Sequence, residues 1–412
     1  MAKIEKSLML ITHEYPPYVF GGVAIYSHKL AEWLSTRGWT VYVITGRAGL
    51  REGVTVQRRG RIVVIRIYFP NVPPRWVFYA KLAERHIAKL IQRGIRLVLS
   101  NSPLTGLLPV LRNTVTFTVY HGSSYTVLPF FENFWHALKT VEPGEVPLYM
   151  GYPALKTWIR QDLLCSNFNI FVARHVKSEV EWLYPDLAPK IGRSSVVAYP
   201  GIEYNQLSRL KEHNRRTEKT KTVVAFVGRL YFTKGITYAV EAIRSLIEIG
   251  ERHVEFWVFG TGPLQKWLIK QSKAIPIRYF GFVERSRLLS LLAKYVDVLL
   301  HPSLYEGAPL AVMETQALGI PTVTFDLPWP TEFIINDING YRVPYPDVHG
   351  LGEAVLKAKE LNRDKVALLA NRFDKEVSLP VVESLLEEGG HGKGSFRSEG
   401  VWGAGTVRSL AL

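Results

Sequence analysis

The sequence predicts an α/β protein made of two open, parallel sheets of the Rossmann type, one after the other in the chain. Three observations predict it. Short, nearly continuous apolar runs alternate with stretches of helical periodicity, the pattern of a parallel sheet covered by helices on both faces. The alternation occurs twice, interrupted by a charged segment at 208–222. The length of 412 residues also exceeds what one core ordinarily holds, at roughly 100–200 residues per domain.

The elements follow in order. "LMLIT" (8–12) reads as a strand, residues 23–37 carry apolar side chains at helical spacing and end at Gly38, and "VYVIT" (41–45) is the next strand. Strands follow at 62–68, 97–100, 116–120, 168–173 and 194–199, with a long helical pattern over 78–93. The second series has strands at 223–228, 254–260, 277–282, 296–301 and 321–325, with helices at 236–249, 264–273 and 309–318. The expected domains are 1–205 and 206–375, followed by a Gly/Ser-rich, flexible tail at 376–412. Ligands of such sheets bind at the carboxyl ends of the strands, which for two facing domains is the cleft between them.

Composition bounds the function. A single cysteine, Cys165, rules out an intramolecular disulfide and reads as a small buried hydrophobe in a reducing compartment. No run approaches the ~18 uncharged apolar residues of a membrane-spanning helix, and the N-terminal apolar run reads as a strand rather than a signal peptide. Of the net charge of +15, the first half holds most: residues 1–200 carry 24 Lys and Arg against 12 Asp and Glu, residues 201–412 carry 27 against 24. The densest stretch is 46–76, and a basic face of this kind attracts polyanions. Charge alone would also fit a nucleic-acid-binding protein, but no recognition motif or basic helix accompanies it.

Chemistry gathers at the strand ends. "EYPPYVFGG" (14–22) joins the first strand to the first helix, and Gly21 and Gly22 would let backbone approach an anion at the helix N-terminus. "VGRLYFTKG" (227–235) ends a strand at Gly228 and brings Arg229 and Lys234 to the next helix start, a composition suited to a diphosphate. "FGTGP" (259–263), with Gly260 and Gly262, and "FGFV" (280–283), with Phe282 and Val283, form turns at neighbouring strand ends. "HPSLYEGAPLAVME" (301–314) places Glu306 before a helix and Glu314 inside it, on the apolar side with Leu310, Ala311, Met313 and Ala317. A carboxylate there needs hydrogen-bond donors to be buried, and ribose hydroxyls would serve.

Taken together these motifs resemble the retaining glycosyltransferases of the GT-B fold, specifically glycosyltransferase family 4. The G-R-x-x-x-x-K-G loop stands as "GRLYFTKG" and the E-x7-E pair as "EGAPLAVME", supported by "PGIEYNQL", "FGTGP", "HPSLYEG", "LGIPTV" and "NDINGYRV" over roughly 8–360. The resemblance implies a hexosyltransferase that takes a sugar from a nucleotide-diphosphate donor, UDP-sugar first and GDP- or ADP-sugar otherwise, with retention and without a metal or other cofactor. Arg229 and Lys234 would hold the diphosphate and stabilise the leaving group. Glu314 would accept from the ribose and Glu306 would lie at the donor sugar. Gly307, Ala308, Pro309 and Leu310 would present N–H groups to phosphate and sugar. Gly228 and the turns carrying Gly260, Gly262, Phe282 and Val283 would line the nucleotide. Gly21 and Gly22 would face the diphosphate and acceptor, and His121, in "VYHGSSY", would contact the donor sugar at the reacting centre.

Two departures stand out. The glycogen and starch synthases carry a lysine two residues before the glycine pair, where this chain has Val19, and their N-terminal domain is larger. The family's closing helix, crossing back to the N-terminal domain, is not legible in the glycine-rich end. The acceptor is expected on the basic half. With the aromatic-rich stretch 123–160, that half fits a lipid-linked or phosphorylated acceptor at an anionic membrane surface, on a cytoplasmic or peripheral inner-face protein. The alternatives are a soluble transferase making a glucan or disaccharide, or a nucleotide-sugar epimerase or hydrolase.

Overall fold

A computed structural model describes residues 6–19, 21–49, 53–70, 75–101, 104, 107–123, 152–213 and 221–390. The chain forms two compact units. One comprises Met1–His121, Ala154–Pro200 and Ser378–Leu412; the other comprises Gly122–Pro153 and Gly201–Val377. Each holds a Rossmann-like sheet.

In the first unit the strands are β1 (Ser7–Thr12), β2 (Thr40–Gly49), β3 (Gly53–Arg59), β4 (Ile62–Pro70), β5 (Leu97–Ser100), β6 (Val115–Tyr120), β7 (Phe168–Phe171) and β8 (Ser195–Val197), in the order β3-β4-β2-β1-β5-β6-β7-β8. The sheet is parallel except for β3 on β4. Its middle is β1, where Leu8, Met9, Leu10 and Ile11 are fully buried. At roughly 1.5–3 kcal/mol for each such side chain, this strand anchors the unit. Helices α1 (Gly22–Thr36), α2 (Arg75–Gln92), α3 (Tyr152–Cys165), α4 (Arg174–Leu183) and α5 (Ala188–Arg193) connect the strands. The inner face of α1 buries Ala24, Tyr26, Leu30, Ala31 and Leu34.

In the second unit the segment Gly201–Val377 opens with α6 (Tyr204–His213) and builds a six-stranded parallel sheet: β9 (Thr222–Val227), β10 (Val254–Phe259), β11 (Ile277–Gly281), β12 (Val298–Leu300), β13 (Thr322–Phe325) and β14 (Gly340–Val343), in the order β11-β10-β9-β12-β13-β14. The helices between and after them are α7 (Ile236–Glu248), α8 (Gln265–Gln271), α9 (Arg285–Tyr295), α10 (Leu310–Ala317), α11 (Val348–Ala358) and α12 (Arg363–Ala370).

The structure departs from the sequence reading in four places. Strand β3 was not anticipated; it closes a hairpin whose Arg59 pairs with Ile62 across Gly60 and Arg61, and Gly60 takes a φ of 59° there. Strand β14 was read only as a motif. Cys165 is exposed, because the last turn of α3 buries Asp162 and Leu163 instead.

The fourth departure is the end of the chain. The segment expected as a flexible tail from 376 is helix α13 (Lys375–Gly390), and from Ser378 onward it belongs to the first unit. There Leu379, Val382, Leu385 and Leu386 are buried. Glu383 accepts from the indole N–H groups of Trp33 (3.2 Å) and Trp39 (3.3 Å) and pairs with Arg37 at 3.1 Å. Residues 391–412, and most of the aromatic stretch 123–160, lie outside the described residues.

Candidate functional site

In the second unit, β11, β10, β9 and β12 are contiguous and parallel, so their carboxyl ends open along one edge of the sheet. The candidate donor-binding residues of this unit stand on the four loops or helix starts that follow them, except Glu314, which lies inside the helix after β12. The loops are laced together by backbone hydrogen bonds: Gly228 N to Phe259 O (3.0 Å), Gly260 N to Gly281 O (2.8 Å), Leu230 N to Thr261 O (2.9 Å) and Leu304 N to Thr233 O (2.9 Å). The close approach demands glycine at two points. A Cβ on Gly260, at φ 125°, would sit 1.9 Å from Gly228 O, and one on Gly235, at φ 75°, would sit 1.9 Å from Pro302 O.

Lys234 lies in the short turn Phe232–Lys234 that Gly235 ends. Its ammonium reaches Glu306 Oε1 at 2.7 Å. The same oxygen is bonded by His301 Nε2 at 2.9 Å. Burial opposes ionisation of Glu306, but Lys234 and then His301 override it and hold the carboxyl far below the usual carboxylate range. His301 is a site residue the sequence reading passed over. It follows β12 directly, is 3 % exposed, and is fixed by a T-shaped contact with Trp329 and by its carbonyl accepting from Thr324 Oγ1 at 2.7 Å. The available signal was a histidine closing an apolar strand.

Arg229 does not join this cluster. It is exposed, its guanidinium lies 4.8 Å from the centre of the Tyr231 ring, and among the described residues it pairs with no carboxylate. Gly307, Ala308 and Pro309 lead into α10, which starts without a side-chain cap and without an acid in its first turn. The N–H groups of its first turn, beginning at Leu310, are therefore available to an anion.

The two glutamates of the E-x7-E pair are served by different cations. Glu314, buried in mid-helix, is bonded at Oε1 by Arg285 through NH2 (2.6 Å) and Nε (3.2 Å). Arg285 was not anticipated either; it opens α9, directly after the turn that carries Phe282 and Val283. Phe282, three residues before Arg285, is 82 % exposed.

The candidates of the first unit sit at the carboxyl ends of β1 and β6. Gly21 caps α1 and its N–H donates to the buried Glu14 Oε2 at 2.9 Å; Gly22 begins the helix. Two arginines of the basic stretch hold this loop. Arg66 donates to the carbonyls of Tyr15 (3.2 Å) and Pro16 (2.6 Å), and Arg47 lies 3.4 Å from the centre of the Tyr18 ring. His121 follows β6. Its Nε2 is 3.1 Å from Asn101 Oδ1, while Asn101 Nδ2 donates to Ser27 Oγ at 2.9 Å. The carboxamide thus makes Nε2 the protonated nitrogen and leaves Nδ1 as an acceptor. Burial pushes the imidazole down to about 3, with His13 lowering it further and Glu14 opposing. Asn101, at the end of β5, was also missed.

Among the described residues no group of three or more His, Cys, Asp and Glu is placed to hold a metal ion. None of the described helices is long and apolar enough to cross a membrane.

Comparison with known proteins finds glycosyltransferases in both sequence and fold. The model of the glycosyl transferases group 1 matches residues 208–376, and that of glycosyltransferase family 4 matches 20–203. An uncharacterised glycosyltransferase of Methanocaldococcus jannaschii is 25 % identical over 361 residues, covering 82 % of this chain and 85 % of that one. A glycogen synthase of Mycobacterium tuberculosis is 24 % identical over 374 residues, covering 84 % of each. Among solved structures, a sucrose-phosphate synthase from Thermosynechococcus elongatus superposes with a TM-score of 0.71 at 17 % identity, over 94 % of this chain and 100 % of that one. Together the two family models span residues 20–376, so in sequence the first half resembles glycosyltransferase family 4 and the second half the glycosyl transferases group 1, and the fold is that of the GT-B glycosyltransferases.

Proposed function

We propose that the protein is a retaining, metal-independent hexosyltransferase that moves a sugar from a nucleotide-diphosphate donor to an acceptor hydroxyl. The observation that carries the reading is the loop set at the ends of β11, β10, β9 and β12. There a buried Glu306, held far below the usual carboxylate range, pairs with Lys234; Arg229 is exposed on the same loop as Lys234, and α10 starts without a side-chain cap. Lys234, Arg229 and the N–H groups of α10 would share the charge that grows on the departing diphosphate. Glu306 is held too acidic to act as a general acid, so it suits accepting a hydroxyl of the donor sugar. The acceptor hydroxyl would then attack on the face the phosphate leaves and give its proton to that phosphate, with no protein nucleophile. His121, neutral and oriented by Asn101, would meet the donor sugar as a hydrogen-bond partner.

The donor is read as a UDP-sugar first. Thermal-shift titration with UDP, GDP and ADP tests this, and incubation with the matching labelled sugar tests transfer. NMR of the product anomer decides retention, and turnover in EDTA decides metal independence. Absence of any nucleotide shift would sink the reading.

For the acceptor, the basic first half favours a lipid-linked or phosphorylated molecule at an anionic membrane surface. Salt-reversible sedimentation with phosphatidylglycerol vesicles is expected, and no binding at low salt overturns it. The similarity to a glycogen synthase over most of the chain favours a second reading, a soluble glucan- or disaccharide-forming transferase. Val19, standing where those synthases carry lysine, weighs against it.

A further inference from the structure

We propose that Arg285 is a positioning residue that sets Glu314 for the ribose of the donor and thereby fixes the enzyme's demand for ribose hydroxyls. The proposal rests on the donor-site reading above and extends it to a residue outside the family's motif.

Arg285 is misplaced by ordinary rules. It is the first residue of α9, where the partial positive charge of the helix end disfavours a cation. The cap of that helix is filled by Glu284, which accepts from the N–H groups of Ser286 and Arg287. Arg285 is therefore not needed to start the helix. Its guanidinium turns instead to Glu314 on α10, offering two N–H groups to one carboxylate oxygen at 2.6 and 3.2 Å. The two N–H groups converge on Oε1 and pin that oxygen from a planar, rigid fork, which the single ammonium of a lysine does not offer. The carboxylate needs such a partner, since it stands on a helix whose neighbours Val312, Met313 and Ala317 are all fully buried.

Position adds to geometry. Arg285 lies three residues after Phe282, the exposed ring that directly follows β11, so a nucleoside stacked on that ring would bring its ribose towards the start of α9. On its other side Arg285 lines an open cavity of about 860 Å3, together with Glu203 and Lys375. Shortening the side chain there opens no sealed void, so a variant should fold.

The test uses whichever of UDP, GDP and ADP binds best, together with its 2′,3′-dideoxy counterpart. The readouts are dissociation constants by calorimetry for wild type, Arg285→Met, Arg285→Lys and Glu314→Gln. The ribose reading expects wild type to prefer the ribonucleotide at least about tenfold and Glu314→Gln to lose that preference. The positioning proposal expects Arg285→Met to lose it too, through weaker ribonucleotide binding with little change for the dideoxy ligand, and Arg285→Lys to restore it only in part. If Arg285→Met weakens both ligands equally, or keeps the wild-type preference while Glu314→Gln loses it, Arg285 merely ties α9 to α10 and the proposal fails. If Glu314→Gln keeps the full preference, the ribose reading itself fails and takes the proposal with it.

Discussion

Replacing Lys234 by methionine removes the charge that keeps Glu306 ionised, and the size of the effect can be worked out. The ammonium is 2.7 Å from the carboxylate, and the two side chains are 20 % and 12 % exposed. Stranding one partner of a buried pair costs about 3–5 kcal/mol, and the residual exposure of Lys234 places this pair near the lower end. A unit of about 200 residues loses roughly 2–4 °C of Tm per kcal/mol, so a loss of about 6–12 °C is expected for the transition of the second unit at pH 7. Calorimetry resolves it. Adding Glu306→Gln should return most of the loss, because no charge is then left buried.

The pH dependence has a definite sign. In wild type the folded carboxyl lies below its unfolded value, so its contribution is fully present above about pH 4.3 and fades only in stronger acid. In Lys234→Met the Lys234 attraction no longer offsets burial, which raises the value, so the penalty should shrink on going from pH 7 to pH 4. A Tm change under about 2 °C, or a double variant no more stable than the single one, would show that the pair does not hold the loops together.

Other outcomes follow from the same geometry. Arg229→Ala should leave Tm within about 2 °C, since an exposed side chain without a carboxylate partner contributes little, yet reduce turnover by at least about 10²-fold; wild-type turnover would remove Arg229 from the site. Gly260→Ala should lower the Tm of the second unit by several degrees and abolish the nucleotide shift, because its Cβ would meet Gly228 O at 1.9 Å. For His121 the folded value, about 3, is below the unfolded ~6.5, so the unfolded chain takes up the proton first and stability falls as pH drops from about 6.5 towards 3. His121→Gln should flatten that acid slope for the first unit, measured as Tm against pH. Glu383→Ala should cost the first unit about 2–3 kcal/mol, as two indole N–H groups and Arg37 lose their acceptor.

Much of the fold was legible because its strands are buried on both faces and read as plain apolar runs. Strand β3 escaped because Val54 and Val56 alternate with polar residues on an exposed edge, and its Arg58 and Arg59 looked like a charge cluster rather than a hairpin arm. Helix α13 escaped for a different reason. Pro380 stands inside it and Gly389 and Gly390 close it, and these outweighed the spacing of Leu379, Val382 and Leu386. Gly389 is there because a Cβ would press on Phe117 at 2.5 Å. At the site, the motif residues declare themselves by type and spacing. Their partners His301, Arg285 and Asn101 do not, since each is distant in sequence from the candidate it serves or lacks a spacing rule. Only the fold supplies those pairings.

Helix α13 also bears on how the chain is made. The first unit needs residues 378–390 to cover Trp33, Trp39 and Phe117, so during synthesis it stays incomplete until nearly four hundred residues have left the ribosome. The six strands of the second unit all lie within 222–343, so its sheet can close earlier. The half that begins first is therefore finished last, and its unfinished Trp33 and Trp39 surface is what a nascent-chain chaperone would meet.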